Sequence, residues 1–396
     1  VNRNCLKIRL FPNRAQEREL ETTLETCRLV YNSLVNDRKF QYDTAKVSAG
    51  RYTQQAYLPV WKKDHPELKA VYSQVLQDVV HRVDLAFKAF FDRVAKGETP
   101  GFPRRKGEGQ YDSFTYTQND SFKVGDSTVR LAKIGQVKAK LHRRPWGELK
   151  TCTVRRINGK WFACLCQEIE AERLPPSVEA IGIDVGLKTF AALSNGEFID
   201  NPRFFRKEEK ALAKAQRKLS KQKRGSRERR KARKVVSRIH ERIRNRRHDF
   251  CHQAARRLVN RFGIIAVEKL QVENMVRRPK AKPDPNNEGQ FLPNGASSKA
   301  GLNKSIADAA WSQFRSILTS KAESAGREIL AVNPAWTSQD CSGCGYRPDG
   351  LEGRTKKKLS DRWHLCPMCG LSLDRDTNAA VNILALGQQS VATVVA

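Results

Sequence analysis

The chain opens on CLKIRLF, in which apolar and basic side chains alternate with the period of a strand that buries one face. Pro12 and Asn13 close it, and Asn13 with Gln16 has the spacing of a capping box, so a helix should follow. Leu20, Leu24, Cys27, Tyr31 and Leu34 then recur at steps of four and three. Leu76, Val79, Val83, Phe87, Phe90 and Val94 repeat the pattern ahead of Gly97. Residues 13–97 are predicted to be helical, with both stripes serving as bundle core. From GFPRRKGEGQYDSFTYTQ onward the chain turns to short alternating runs, TVRLAKIGQVKAKL and LKTCTVRRINGKWFACLCQEI, broken by Gly and Asn-Gly, which predicts a β region. Strand-like sequence on both sides of the helices predicts a small barrel into which the helical region is inserted.

Pro175 and Pro176 mark a linker, after which VEAIGIDVGLKTFAAL reads as a buried strand, a tight turn around Gly186 and a second strand. GIIAVEKL at 263–270 is another buried strand. Between them, residues 201–250 read as a helical pair around Gly225. RRPKAKPDPNNEGQFLPNGASSKAG is rich enough in Pro, Asn and Gly to predict a mobile loop. No internal repeat is evident.

Charge changes the picture most. The 396 residues carry 74 Lys and Arg against 42 Asp and Glu, a net +32, and an excess of that size points to a polyanionic partner, nucleic acid. Residues 201–250 alone hold 21 basic and 5 acidic side chains, a one-sided run suited to tracking phosphates. The ten cysteines are too sparse for a disulfide scaffold, and Cys5, Cys27, Cys152, Cys164, Cys166 and Cys251 read as reduced, mostly buried thiols. VNRNCLKIRLFPN lacks the apolar core of a signal peptide and no apolar run approaches a membrane span, so a cytoplasmic or nucleoid location without membrane contact is expected.

Cys341, Cys344, Cys366 and Cys369 form C-x2-C-x21-C-x2-C, each pair followed by Gly, the pattern of a four-thiolate zinc site. Four protein ligands leave no open position, so this zinc should be structural. His364, near the second knuckle, is expected at the surface or against nucleic acid, not on the metal. Three acids follow a different logic. Asp184 ends AIGI, Glu268 ends IIAV, and Asp376 precedes TNAAVNILAL in the position of a helix N-cap, with Gly387 as the far stop. Taken singly, each has a plain structural explanation. Acids at the inner ends of buried strands are costly unless paired or holding a cation. Two of them with a helix-start acid form the set by which an RNase H-like fold grips two divalent metals to hydrolyse phosphodiesters.

In that order, GIDVGLKTFAALSNGE, VEKL, TSQDCSGCG…CPMCG and DRDTNAAVNIL resemble the RuvC-like nuclease and zinc ribbon of the transposon-encoded TnpB proteins, relatives of compact type V CRISPR effectors. The likeness continues upstream through QDVVHRVDLAFKAFFDRVAKGETPGFPRRK, DSFTYT and INGKWFACL; the loop at 279–300 and the tail QQSVATVVA have no obvious counterpart. The resemblance implies a multidomain α+β protein: a wedge β-barrel from 1–12 and 100–177, a helical recognition lobe at 13–99, and a RuvC-like α/β nuclease domain at 178–396 with a zinc ribbon, 338–372, inserted. It implies a prokaryotic RNA-guided DNA endonuclease with Asp184, Glu268 and Asp376 as the magnesium-binding catalytic triad. Asp376 is preferred to Asp374 because Asp376, Asn378, Ala379 and Ala380 match the family's Asp-x-Asn-Ala-Ala. The implied partners are a guide RNA from the transposon end and a DNA target, double- and single-stranded, read beside a short adjacent motif, with a monomer on its RNA favoured. Gln74, Gln77, Arg104, Arg105, Lys106, Tyr111 and Tyr116 are candidates for reading that motif and holding its backbone. A conventional transposase and a non-enzymatic zinc-ribbon regulator are the competing readings.

Overall fold

The computed structural model describes residues 2–171, 173–287, 289–348, 357–358 and 360–395, with the side chains of residues 2 and 391–395 left out. The chain divides into two compact units, Val1–Glu170 and Ala171–Ala396. Of the segment 338–372, residues 349–356 and 359 lie outside the described residues.

In the first unit, β1 (Asn2–Phe11) leads into α1 (Arg14–Ala45) through the reciprocal capping box of Asn13 and Gln16. Two further α-helices follow, α2 (Arg51–Asp64) and α3 (Ser73–Ala95). The strands β2 (Ser113–Tyr116), β3 (Phe122–Val124), β4 (Thr128–Leu131), β5 (Gly135–Lys140), β6 (Glu148–Ile157) and β7 (Lys160–Ile169) complete it. All pair antiparallel in the order β2-β6-β7-β1-β5-β4-β3, with β1 central. Asn158 and Gly159, both at positive φ, close the β6–β7 hairpin as an Asn-Gly turn requires. Among the described residues no ladder joins β2 to β3, the two ends of this order, although Phe114 and Tyr116 of β2 and Phe122 of β3 share one core. One continuous core holds it to the helices: Ile8, Leu10, Phe114 and Trp161 of the sheet share a cluster with Leu20, Leu34, Leu76 and Val83.

The second unit is built on a five-stranded mixed sheet, order β10-β9-β8-β11-β14. Its strands are β8 (Ala180–Val185), β9 (Thr189–Leu193), β10 (Phe198–Asp200), β11 (Ile264–Glu268) and, after the remaining helices, β14 (Glu328–Val332). β8, β9 and β10 run antiparallel; β11 pairs parallel with both β8 and β14. Between β10 and β11 come α4 (Phe204–Ser220) and α5 (Arg227–Arg261), the basic pair, broken around Gly225. After β11 follow α6 (Val272–Met275), the two-residue strands β12 (Lys282–Pro283) and β13 (Phe291–Leu292), α7 (Ala296–Ala309) and α8 (Trp311–Ala325). The segment expected to be one loop thus contains a short antiparallel pair and, from Ala296, the start of a helix, for which Ala and Ser in ASSKAG suffice. Beyond β14 lie β15 (Trp363–Leu365), β16 (Ser372–Asp374) and α9 (Arg375–Val395).

Helix α9 does not stop at Gly387. That glycine lies inside it, where an added Cβ would meet Ala266 Cβ at 2.9 Å, so its smallness serves close packing on β11. Gly182 does the same on β8 more severely: a Cβ there would fall 2.0 Å from the carbonyl of Ala380. The two glycines let one helix lie directly on the strands that carry the acids. Among the described residues, no helix is long and apolar enough to cross a membrane.

Candidate active site and metal centre

Asp184 and Glu268 stand at corresponding ends of adjacent parallel strands, since Ile183 is in register with Val267. Asp376 sits in the first turn of α9, which packs over both strands. Burial pushes the Asp184 carboxyl up to about 8, and the charges of Glu268, Asp376 and Asp374 push the same way, while Arg375 opposes them. Burial also raises Glu268, against a hydrogen bond donated by Thr337 Oγ1 to its Oε1 at 2.6 Å. Asp376 is raised by burial and by Asp374, and drawn down by Arg362, Arg375 and Lys188. The three acids therefore share one field, although among the described residues only the four cysteines have all their ligand atoms within 4.8 Å of one another. Half-buried carboxylates that resist ionising together fit a site completed by cations.

The helix cap belongs to Asp374, not to Asp376. Asp374 Oδ1 accepts from the N–H groups of Asp376 at 2.9 Å and Thr377 at 3.2 Å, leaving the Asp376 side chain free of that duty. Sequence reading named Asn378 only as a motif match and missed how this helix start is held in place. Asn378, fully buried, donates to the Asp340 carbonyl at 2.8 Å and accepts from the Ser342 N–H at 3.0 Å. Asn382, one turn on, donates to the carbonyls of Thr337 and Asp340 at 2.8 and 3.0 Å. Arg375, also buried, donates to the carbonyls of Lys358 at 2.6 Å and Asp361 at 3.2 Å. The signal was present: asparagines at i and i+4 on an otherwise apolar helix face.

These bonds tie α9 to the cysteine cluster. The Sγ atoms of Cys341 and Cys369 are 3.6 Å apart, as are those of Cys344 and Cys366. Zinc at about 2.3 Å from each of four tetrahedral sulfurs needs separations of about 3.8 Å, so the set fits that ion. Gly345 and Gly370, at φ 73° and 71°, make the tight turns of the two knuckles, their N–H groups returning to the carbonyls of Cys341 and Cys366. Burial and the crowding of the thiols raise Cys341 and Cys344, whereas, against the cost of burial, the N–H groups of Cys369 and Met368 and the neighbouring thiols lower Cys366, so a cation is needed for all four to be thiolates together. β15 and β16 flank the second knuckle, and β16 ends on the capping Asp374. His364, expected at the surface, is 2 % exposed on β15 facing Leu373, because the alternation of that strand turns it inward.

The motif-reading candidates divide. Arg104 and Arg105 are exposed, and Lys106, half-buried, is held through its backbone by Asn32. Gln77 is half-buried on α3; Gln74 is hydrogen-bonded to Gln118. Tyr111 and Tyr116 are corrected: at 8 % and 1 % exposure both rings are core, and the Tyr116 hydroxyl donates to the Ala132 carbonyl at 2.9 Å. The alternation SFTY turns Tyr116 toward the core beside Phe114.

Known proteins match nearly the full length of the chain. The OrfB family of IS605 elements, described as "Probable transposase", matches residues 163–278; a "Cas12f1-like, TNB domain" matches 311–383. A "Helix-turn-helix domain" matches 3–46, where the structure has a strand followed by one helix. A protein of Escherichia coli (strain K12) named "Putative RNA-guided DNA endonuclease InsQ" is 31% identical over 98% of this chain and 93% of its own. A "Putative RNA-guided DNA endonuclease" of Streptomyces pristinaespiralis is 33% identical over 97% and 89%. A solved structure titled "Structure of the mini-RNA-guided endonuclease CRISPR-Cas_phi3" covers 97% of this chain and 92% of that one at 9% identity and a TM-score of 0.44, a likeness too distant to carry an argument.

Proposed function

The chain belongs to the OrfB family of transposon-encoded TnpB proteins, and from that premise we propose that it is an RNA-guided DNA endonuclease that hydrolyses phosphodiesters at a single site of Asp184, Glu268 and Asp376. The observation that carries the reading is the shared field of these acids, in which Asp184 is raised by both of the others. A mixed sheet whose parallel strands end in two of the acids, with a helix supplying the third, is the arrangement expected of a RuvC-like domain. The seven-stranded sheet stands for the wedge, and α1, α2 and α3 for the recognition lobe. Two magnesium ions bound by the acids would supply an activated water and a counter-charge for the leaving 3′ oxygen.

The chain's own residues do the rest. Thr337 orients Glu268 by its hydrogen bond, and Asp374 fixes the helix start from which Asp376 projects. Asn378, Asn382 and Arg375 bind that start to the ribbon, so the structural zinc sets the place of the third acid. Arg104, Arg105 and Lys106 would hold backbone beside the adjacent motif, with Gln77 reaching base edges. The basic pair α4 and α5 suits the backbone of an A-form heteroduplex.

Sequencing the RNA that co-purifies from cells carrying the element tests the reading. One discrete species with a constant part and a variable end is expected. Purification without RNA, with strand-transfer products in place of free cut ends, would favour a conventional transposase.

A further inference from the structure

Near the acids, within the Ala171–Ala396 unit, is a cleft of about 340 Å³ whose walls carry four cations, Lys188, Arg203, Arg206 and Arg362, and one acid, Asp308. Sites for small ligands begin at about 300 Å³. The acid is already committed. Asp308, on α7, accepts from the N–H of Phe205 at 2.9 and 3.0 Å, so it caps α4 from a neighbouring helix, and it pairs with Arg247 at 3.3 Å. Arg206 is committed as well, to Glu209 at 2.9 Å, the Gly301 carbonyl at 3.0 Å and Ser305 at 3.1 Å.

Lys188 and Arg362 differ. Both are exposed, and among the described residues neither side chain makes an ion pair or hydrogen bond. Among the described residues, the Arg203 side chain reaches only the Leu187 carbonyl, at 3.4 Å, and its backbone is held at φ 49°, a left-handed conformation unfavourable for a non-glycine residue, by Asn201. Like charges gathered on one cleft repel unless an anion completes them. Lys188 lies in the turn between β9 and β8, the strand that carries Asp184, and Arg362 is bonded through its carbonyl to Arg375, the neighbour of Asp376, so both cations stand on the side of the acids.

We propose that this cleft is a phosphodiester subsite, taking a backbone phosphate that adjoins the linkage at the acids, with Lys188 and Arg362 as its ligands and Arg203 beside them. The inference rests on the nuclease reading for the identity of the strand. It gives the ribbon a second task, because the backbone carbonyl of Arg362 accepts from the N–H of Arg375 at 3.0 Å, so the anion-holding side chain and the helix of Asp376 are fixed together.

The test uses the full-length chain loaded with its guide, so that other basic surfaces are occupied. The double variant K188A/R362A and the charge-conserving K188R/R362K are compared with the parent. Binding of a labelled oligothymidylate is followed across potassium chloride concentrations, beside cleavage of complementary single-stranded DNA. K188A/R362A should bind about tenfold more weakly, and its slope of log affinity against log salt should be shallower by about 0.7 for each phosphate that is no longer neutralised. The half-saturating DNA concentration should rise with it, and K188R/R362K should stay near the parent. Unchanged affinity and slope in K188A/R362A overturn the subsite, whether or not the parent cuts. A parent that binds with the expected slope but never cuts overturns the nuclease reading and leaves the subsite standing.

Discussion

Asp184 is the most strongly shifted of the three acids of the proposed site, and its burial gives a sign that can be measured. Its carboxyl keeps its proton up to about pH 8 in the folded chain, against 3.8 for an unperturbed aspartate. Between those values the folded state holds the extra proton, so stability is full below the lower value and falls as pH rises through the upper one. Without magnesium, thermal unfolding should occur several degrees lower at pH 8.5 than at pH 5 on this residue's account, and D184N should flatten that difference; an equal pH dependence in both proteins contradicts the assignment. At the start of α9 the roles of two neighbours separate. D374A removes a helix cap, worth about 1 kcal/mol, and should lower stability while reducing cleavage only in part, because Arg375, Asn378 and Asn382 still hold the start of α9. D376A should abolish cleavage with little loss of stability, and the reverse ranking would exchange the two aspartates. The cysteine cluster was legible because C-x2-C spacing is a local pattern, and the strand ends on which Asp184 and Glu268 stand could be placed from period alone. The role of Thr337 was not legible, because its partner lies 69 residues away, and Asn378 was visible as a residue while its partner, 38 residues away, was not.

Among elements, the packing of α9 on β8 and β11 decides whether the acids meet. G182A would drive a methyl group to 2.0 Å from the Ala380 carbonyl, which is backbone and cannot swing aside. G387A meets only a side-chain carbon at 2.9 Å. Overpacking of this kind costs about 1–3 kcal/mol, and G182A should sit at or above the top of that range and lose cleavage. G387A should be milder; denaturant unfolding ranks them, and equal midpoints would dissociate the helix from the site. C366S should release zinc, measurable by atomic absorption, and abolish cleavage through the loosened start of α9, while the Val1–Glu170 unit, with its own core, keeps its fold. Retained zinc in C366S would refute the four-thiolate set. Helices with clear stripes, hairpins with Asn-Gly turns and buried strands were readable from period alone. The extent of α9 was not, because a glycine that stops a helix and one that permits close packing look the same in sequence.

Across the whole molecule, the net +32 and the concentration of charge between 201 and 250 point to a polyanionic partner, and both α4 and α5 are the helices the pattern predicted. The fifth strand, β14, and α8 carried no distinctive sequence signal, so the sheet that aligns the acids could not be counted in advance. Sequence also suggested a helical lobe with its own core, whereas α1 and α3 bury their stripes in one cluster with the seven-stranded sheet. Everything in the proposed function requires that one site cut DNA chosen by a bound RNA. The direct measurement is cleavage by the guide-loaded chain of a DNA matching the guide, a mismatched DNA, and the matching DNA with the D184A variant, each with and without magnesium. The account predicts cutting of the matching DNA alone, only with magnesium and only by the parent, while D184A binds that DNA with similar affinity. Cutting that ignores the guide sequence, or persists in D184A, would contradict it.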